Sequence, residues 1–82
     1  MLPFFMFEIY SREGCGYCVK LMAVLGKKGI PYTEKKLDRD FTREEFIEQF
    51  GDKGTFPRVL HEGELIGGMS EAVKFLSENN YV

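Results

Sequence analysis

Apolar positions along this chain alternate between two rhythms. Residues 4 to 10, Phe-Phe-Met-Phe-Glu-Ile-Tyr, are dense in aromatic and β-branched side chains and predict a buried strand. Ser11-Arg12-Glu13-Gly14 breaks that pattern. From Cys15 to Lys28 the rhythm lengthens: Cys18, Leu21, Met22 and Leu25 fall at i, i+3, i+4 and i+7, one face of a helix. Lys27 and Lys28 suit the negative end of that helix, Gly29 suits its C′ position, and Pro31 forbids its continuation. Tyr32 to Leu37 predicts a second strand, with Glu34, Lys35 and Lys36 on a solvated side. Thr42-Arg43-Glu44-Glu45 has the form of a capping box and opens a helix with Phe46, Ile47 and Phe50 inward, closed by Gly51. After the loop Gly54-Thr55-Phe56-Pro57, the segments 58–61 and 64–66 flank Glu62-Gly63 as a hairpin, with His61 on its surface. Gly67-Gly68 ends the second of these strands. Ser70 is the expected N-cap of a last helix with Ala72, Val73, Phe75 and Leu76 on its apolar side, ending at Asn79-Asn80.

The resulting order is β-α-β-α-β-β-α. Strands alternating with helices predict an α/β domain in three layers, with helices on both faces of a mixed four-stranded sheet. The first βαβ is expected to be a right-handed parallel unit and the last two strands an antiparallel hairpin. The chain has 82 residues, so a single domain is expected to occupy 1–82.

Composition narrows the function. With 44% apolar and 29% charged residues, the chain has the make-up of a folded domain rather than a disordered tail. A net charge of −2 argues against nucleic acid and against an anionic membrane surface as partner, since both require clustered Lys and Arg. The longest apolar run, Met1 to Phe7, is far below the roughly 20 residues that span a bilayer. It also lacks the basic start and cleavage site of a secretory signal, which makes the cytoplasm the expected compartment.

The two cysteines, Cys15 and Cys18, are separated by two residues. In a reducing compartment this pair means redox chemistry or half of a metal site. Zinc needs about four ligands, and the one further soft ligand is the distant His61. Haem attachment needs a histidine after the pair, and position 19 is Val. Cys15 falls where the first helix begins. Unpaired N–H groups and the positive dipole end favour an anion there, and a thiolate is one. Thiol pKa values at such positions fall from about 8.5 towards about 3.5–7.5. Cys15 is therefore read as the nucleophile, open to incoming disulfides, and Cys18, one turn further in, as the resolving thiol. Gly16 keeps the intervening turn flexible, Tyr17 points to solvent or substrate, and Arg12 adds positive potential.

Two further segments carry potential chemistry. In Thr55-Phe56-Pro57, the proline is either an ordinary strand-entry residue or leaves the Phe56 backbone free to pair with an extended peptide. Gly67-Gly68-Met69-Ser70 is either a plain turn with a cap or a close-approach site whose helix N–H groups bind a carboxylate.

Taken together these pieces resemble a glutaredoxin. The matching segments are residues 8–18 (Glu-Ile-Tyr-Ser-Arg-Glu-Gly-Cys-Gly-Tyr-Cys), 55–59 (Thr-Phe-Pro-Arg-Val) and 67–70 (Gly-Gly-Met-Ser), in the family's order and spacing. The resemblance implies a thioredoxin fold with Pro57 cis beside the dithiol. It implies a glutathione groove built from Arg12, Tyr17, Thr55, the Phe56 backbone, Pro57, Gly68, Met69 and Ser70. Arg43 resembles a family residue that meets the glycine carboxylate of glutathione, given one extra residue in the 52–54 loop. The implied activity is reduction of protein disulfides and glutathione mixed disulfides by a monomer, with glutathione as co-substrate, no permanently bound cofactor, and ribonucleotide reductase among the protein partners the family serves.

The sequence departs from the family pattern at three places. Gly16 replaces the proline of Cys-Pro-Tyr-Cys, Phe56 replaces a small valine and is expected to narrow or reshape the groove, and Ser70 replaces a frequent Asp. Family members lacking that proline sometimes hold a [2Fe-2S] cluster between two subunits through the first cysteine and glutathione, which here would make Cys15 a metal ligand. A thioredoxin-like reductase that does not use glutathione is the remaining alternative.

Overall fold

The computed structural model describes residues 7–51 and 55–79. The expectations for Met1 to Met6, for the 52–54 loop and for Asn80 lie outside the described residues. Seven elements follow one another: β1 (Phe7–Ser11), α1 (Gly16–Lys27), β2 (Tyr32–Lys36), α2 (Arg43–Phe50), β3 (Arg58–His61), β4 (Glu64–Gly67) and α3 (Met69–Glu78). The sheet order is β2-β1-β3-β4. β1 and β2 are parallel, with Ile9 opposite Glu34 and Ser11 opposite Lys36. β3 lies antiparallel to β1 and to β4. This is the mixed four-stranded α/β sheet expected from the order of elements.

Side-chain alternation along β1 and β3 divides the interior in two. Phe7, Ile9 and Val59 face α1 and α3 and pack with Leu21, Leu25, Ala72 and Leu76. Tyr10 and Leu60 face the other way and pack with Phe41 and Phe46 under α2. Helices therefore cover both faces. The dithiol is tied to the first layer, because Cys18, Leu21 and Leu25 form the buried stripe of α1.

Local signals account for the ends of the elements. Gly29 at φ +71° lets Ile30 N–H reach back to Leu25 O at 2.8 Å, closing α1. The capping box on α2 is complete: Glu45 N–H donates to Thr42 Oγ1 at 3.1 Å and Thr42 N–H to Glu45 Oε1 at 2.8 Å. Glu62 and Gly63, both at positive φ, make the two-residue hairpin turn. Main-chain groups of the outer strand β2 are covered by its own following loop. Arg39 Nη2 donates to Glu34 O at 3.1 Å, and Lys36 N–H donates to Asp40 Oδ2 at 2.8 Å.

Expectations for six residues are corrected. Ser11 does not break β1 but continues it, since its carbonyl accepts Leu37 N–H at 2.9 Å. Gly67, assigned to the strand break, still belongs to β4. Ile47 and Val73 are exposed, each turned past the apolar stripe of a helix that covers only one face. His61 is half-buried between Phe7 and Phe75, with ring centroids 4.6 and 5.0 Å away, because α3 folds over that end of β3. Ser70 is not the N-cap of α3. The helix begins one residue before it with Gly68 as N-cap, and Glu71 supplies the capping carboxylate through Gly68 N–H at 3.0 Å.

Candidate active site

The loop from β1 turns at Gly14, φ +78°, and delivers Cys15 as the N-cap of α1 in extended conformation. Cys15 N–H donates to Arg12 O at 3.3 Å, and Cys15 O accepts the first helical bond from Val19 N–H at 3.2 Å. The Cys15 Sγ accepts Cys18 N–H at 3.1 Å, the position a capping oxygen ordinarily takes. A sulfur placed there meets the open amides of the first turn and the positive end of the helix dipole, and no acidic residue in that turn opposes it. The two cysteines are joined in a disulfide with Cα atoms 5.3 Å apart.

The expectation that Cys15 stands open needs correcting in this oxidised state. Cys15 is 5% exposed and Cys18 1%. Cys15 remains the more exposed of the two, but both sulfurs are buried while they are joined. Both cysteines line a cleft of about 540 Å³ together with Met22, Ser11, Glu34 and Lys36. At its charged rim Lys36 Nζ stands 2.7 Å from Glu13 Oε1, and that contact holds the Glu13 carboxyl below its ordinary range.

The peptide bond between Phe56 and Pro57 is cis, as the resemblance implied. Pro57 is buried and Thr55 exposed. The Phe56 ring stacks on Phe46 with centroids 4.5 Å apart and on Phe41 at 6.3 Å. The large side chain thus joins the aromatic layer beneath α2. Arg12 links this loop to the dithiol: its carbonyl accepts Cys15 N–H, and its guanidinium lies 5.9 Å from the Phe56 ring centroid.

The third segment closes beside the second. A Cβ on Gly68 would meet Pro57 O at 3.6 Å, so these two backbones run close together. Gly67 adopts φ +136°, and a Cβ there would lie 2.8 Å from the Glu71 side chain, so glycine is required. Met69 and Ser70 occupy the first turn of α3. Tyr17 is 61% exposed on α1, and Arg43 is exposed at the first position of α2.

Two site features escaped the sequence reading. Ser11 is buried and donates from Oγ to Glu34 Oε2 at 2.7 Å, inside the dithiol cleft. No local pattern signals that pair, because it depends on the register of β1 against β2. Glu71 as helix cap was legible, since Glu three residues after the N-cap is a capping pattern.

The arrangement is that of a dithiol protein in which a helix N-terminus and a cis-proline loop meet on one sheet of the thioredoxin type. Comparison with known proteins sharpens the class. The glutaredoxin family model matches residues 7–66. The chain is 36% identical over 66 residues to glutaredoxin 1 of Rickettsia typhi, an alignment covering 77% of this chain and 62% of that protein. It is 35% identical over 65 residues to glutaredoxin 3 of Escherichia coli K12, covering 78% of this chain and 77% of that one. Among solved structures, glutaredoxin 1 of Francisella tularensis in complex with cacodylate superposes with a TM-score of 0.72 at 27% identity, covering 92% of this chain and 94% of that one. A buckwheat glutaredoxin–glutathione complex shares the fold, with a TM-score of 0.73 at 22% identity over 92% of this chain and 71% of that one. The chain belongs to the glutaredoxin family, a family of thiol–disulfide oxidoreductases.

Proposed function

We propose that this protein reduces glutathione mixed disulfides and protein disulfides, with glutathione as the electron donor. The observation that carries this reading is Cys15 Sγ at the N-cap of α1, accepting Cys18 N–H at 3.1 Å. In the reduced protein the same amide stabilises a Cys15 thiolate. That thiolate attacks a disulfide sulfur, a mixed disulfide forms on Cys15, and the first leaving thiolate departs. From there Cys18 attacks Cys15 Sγ, expelling the bound thiol and leaving the Cys15–Cys18 disulfide for two glutathiones to reduce, or, where the bound group is glutathione, a second glutathione attacks its sulfur, giving glutathione disulfide and the Cys15 thiolate.

Glutathione carries two carboxylates and an extended backbone. Arg12 and Arg43 offer cations, the first-turn amides of Met69 and Ser70 offer donors to an anion, and the Phe56 backbone beside Pro57 offers strand-like pairing. Gly68 N–H is already taken by Glu71, so the binding contribution of that turn falls to the next two amides. Tyr17 and Thr55 complete the rim. The protein is proposed to act as a monomer in the cytosol, with ribonucleotide reductase as one disulfide substrate. The buckwheat relative's complex with glutathione supports the choice of donor.

Replacing Cys15 tests the mechanism. Cys15→Ser is expected to abolish turnover of a glutathione mixed disulfide, while Cys18→Ser retains part of it. An unchanged rate in Cys15→Ser refutes the reading. Titration of the protein with glutathione, followed by the amide resonances of Phe56 and Ser70, separates it from a thioredoxin-like reductase, for which those resonances stay still.

A further inference from the structure

The buried hydroxyl of Ser11 and the carboxylate it meets have no part in the chemistry above, yet both line the same cleft as Cys18. Their placement follows from register. Ile9 lies opposite Glu34 and Ser11 opposite Lys36 in the parallel pair, so these positions share the face that α1 covers. Cys18 and Met22 come down onto that face from α1. Ser11 is 1% exposed, and its Oγ donates to Glu34 Oε2 at 2.7 Å. A hydroxyl has two lone pairs besides its proton, so this one can still accept a hydrogen bond while it donates to the carboxylate.

We propose that Ser11 and Glu34 form the proton acceptor for the resolving thiol Cys18. The inference rests on the reading of Cys18 as the group that attacks the Cys15 mixed disulfide. Cys18 starts that step as a buried thiol, and burial disfavours its thiolate. Unlike Cys15, it is not the sulfur at the helix cap. As the Cys18 S–H bond breaks, its electron pair forms the bond to Cys15 Sγ, and the substrate sulfur leaves as a thiolate. The proton passes to Ser11 Oγ while the Ser11 proton passes to Glu34. Reductive opening of the Cys15–Cys18 disulfide runs the relay backwards, returning the proton to Cys18. The outward step needs only the two thiols and the incoming disulfide, and the return step takes its two electrons from incoming glutathione thiols, which leave as glutathione disulfide.

Other charges share the cleft and its surroundings: Arg12 and Glu13 from the loop after β1, Lys20 from α1, Lys36 from β2, and Arg39, which donates to Glu34 O. Glu13 is engaged by Lys36 at the rim, which leaves Glu34 as the carboxylate hydrogen-bonded to a buried group of the cleft.

The test compares two rates in the full-length protein. The first is reduction of insulin disulfides, which requires Cys18. The second is reduction of the glutathione mixed disulfide of 2-mercaptoethanol in a Cys18→Ser background, which does not. Glu34→Gln still accepts the Ser11 hydrogen bond but cannot take the proton. It is expected to lower the ratio of the first rate to the second about a hundredfold, the lower end of what a positioned base contributes. The insulin rate in Glu34→Gln should also climb with hydroxide concentration through the pH range where the wild-type rate levels off. Ser11→Ala should lower the same ratio, and the second rate confirms that both variants are folded. Equal losses in both reactions, or no loss in either, overturn the proposal. If Cys18→Ser alone leaves insulin reduction intact, the resolving role of Cys18 falls and the proposal with it. If Cys18→Ser abolishes insulin reduction but Glu34→Gln does not lower the ratio, the proposal falls by itself.

Discussion

On one face of the sheet the interior is mostly aliphatic; on the other it is mostly aromatic. Leu21, Leu25, Val59, Ala72 and Leu76 fill the first, around Phe7 and Ile9. Tyr10, Phe41, Phe46, Phe50 and Phe56 crowd the second. The first layer carries the sulfurs, because Cys18 sits in the same buried stripe of α1 as Leu21 and Leu25. The second carries the cis-proline loop, because Phe56 stacks on Phe46 at 4.5 Å. The difference divides the labour of the site. Close aliphatic packing anchors the helix that carries both cysteines, and an aromatic stack anchors the cis-proline loop. Arg12 joins the halves, bonded to Cys15 through its carbonyl and lying over Phe56 with its guanidinium.

The sharpest way to break this division is to empty each layer in turn. Phe46→Ala removes the ring on which Phe41, Phe50 and Phe56 converge and should cost about 3–5 kcal/mol, while Leu21→Ala should cost about 2–5 kcal/mol. Denaturant titration gives both values. The functional signature should differ: in the folded fraction, Phe46→Ala raises KM for a glutathione mixed disulfide, whereas Leu21→Ala lowers kcat. A finer cut is Phe56→Val, which puts a small side chain beside the cis proline. It removes the stacked ring at a cost of about 1–2 kcal/mol and frees Arg12. Steady-state kinetics should show a rise in KM exceeding any fall in kcat.

The smallest expected effect concerns the departure between the cysteines. Gly16 is the first residue of α1, and a Cβ there meets nothing within 4 Å. Proline suits that position, since its fixed φ matches the helix and its missing N–H has no intrahelical partner to lose. Gly16→Pro should raise stability by about 0.4–1 kcal/mol, chiefly by restricting the unfolded chain. Thermal melting of the two proteins checks this.

Much of this was legible in the residues. The spacing of Cys18, Leu21, Met22 and Leu25 gave α1 and its inward face, and Thr42 with Glu45 gave the start of α2, because helical period and capping are local properties. The positions of Cys15 and Cys18 at a helix start gave the dithiol chemistry for the same reason. The rest depends on contacts between distant segments. The reach of Phe56 into the aromatic layer requires knowing that Phe41 and Phe46 lie beneath it. The Ser11–Glu34 hydrogen bond spans 23 positions and follows from strand register alone. The misplaced cap at Ser70 had a local remedy: Glu71 competes for the start of α3, and a glycine backbone with a Glu three residues on sufficed.

The central claim is that the start of α1 stabilises Cys15 as a thiolate. The most direct measurement is the rate of alkylation of the reduced Cys18→Ser variant by iodoacetamide across pH. The account predicts a titration midpoint for Cys15 well below the ordinary thiol value of about 8.5, in the range of about 3.5–7.5. A midpoint at or above the ordinary value would contradict it.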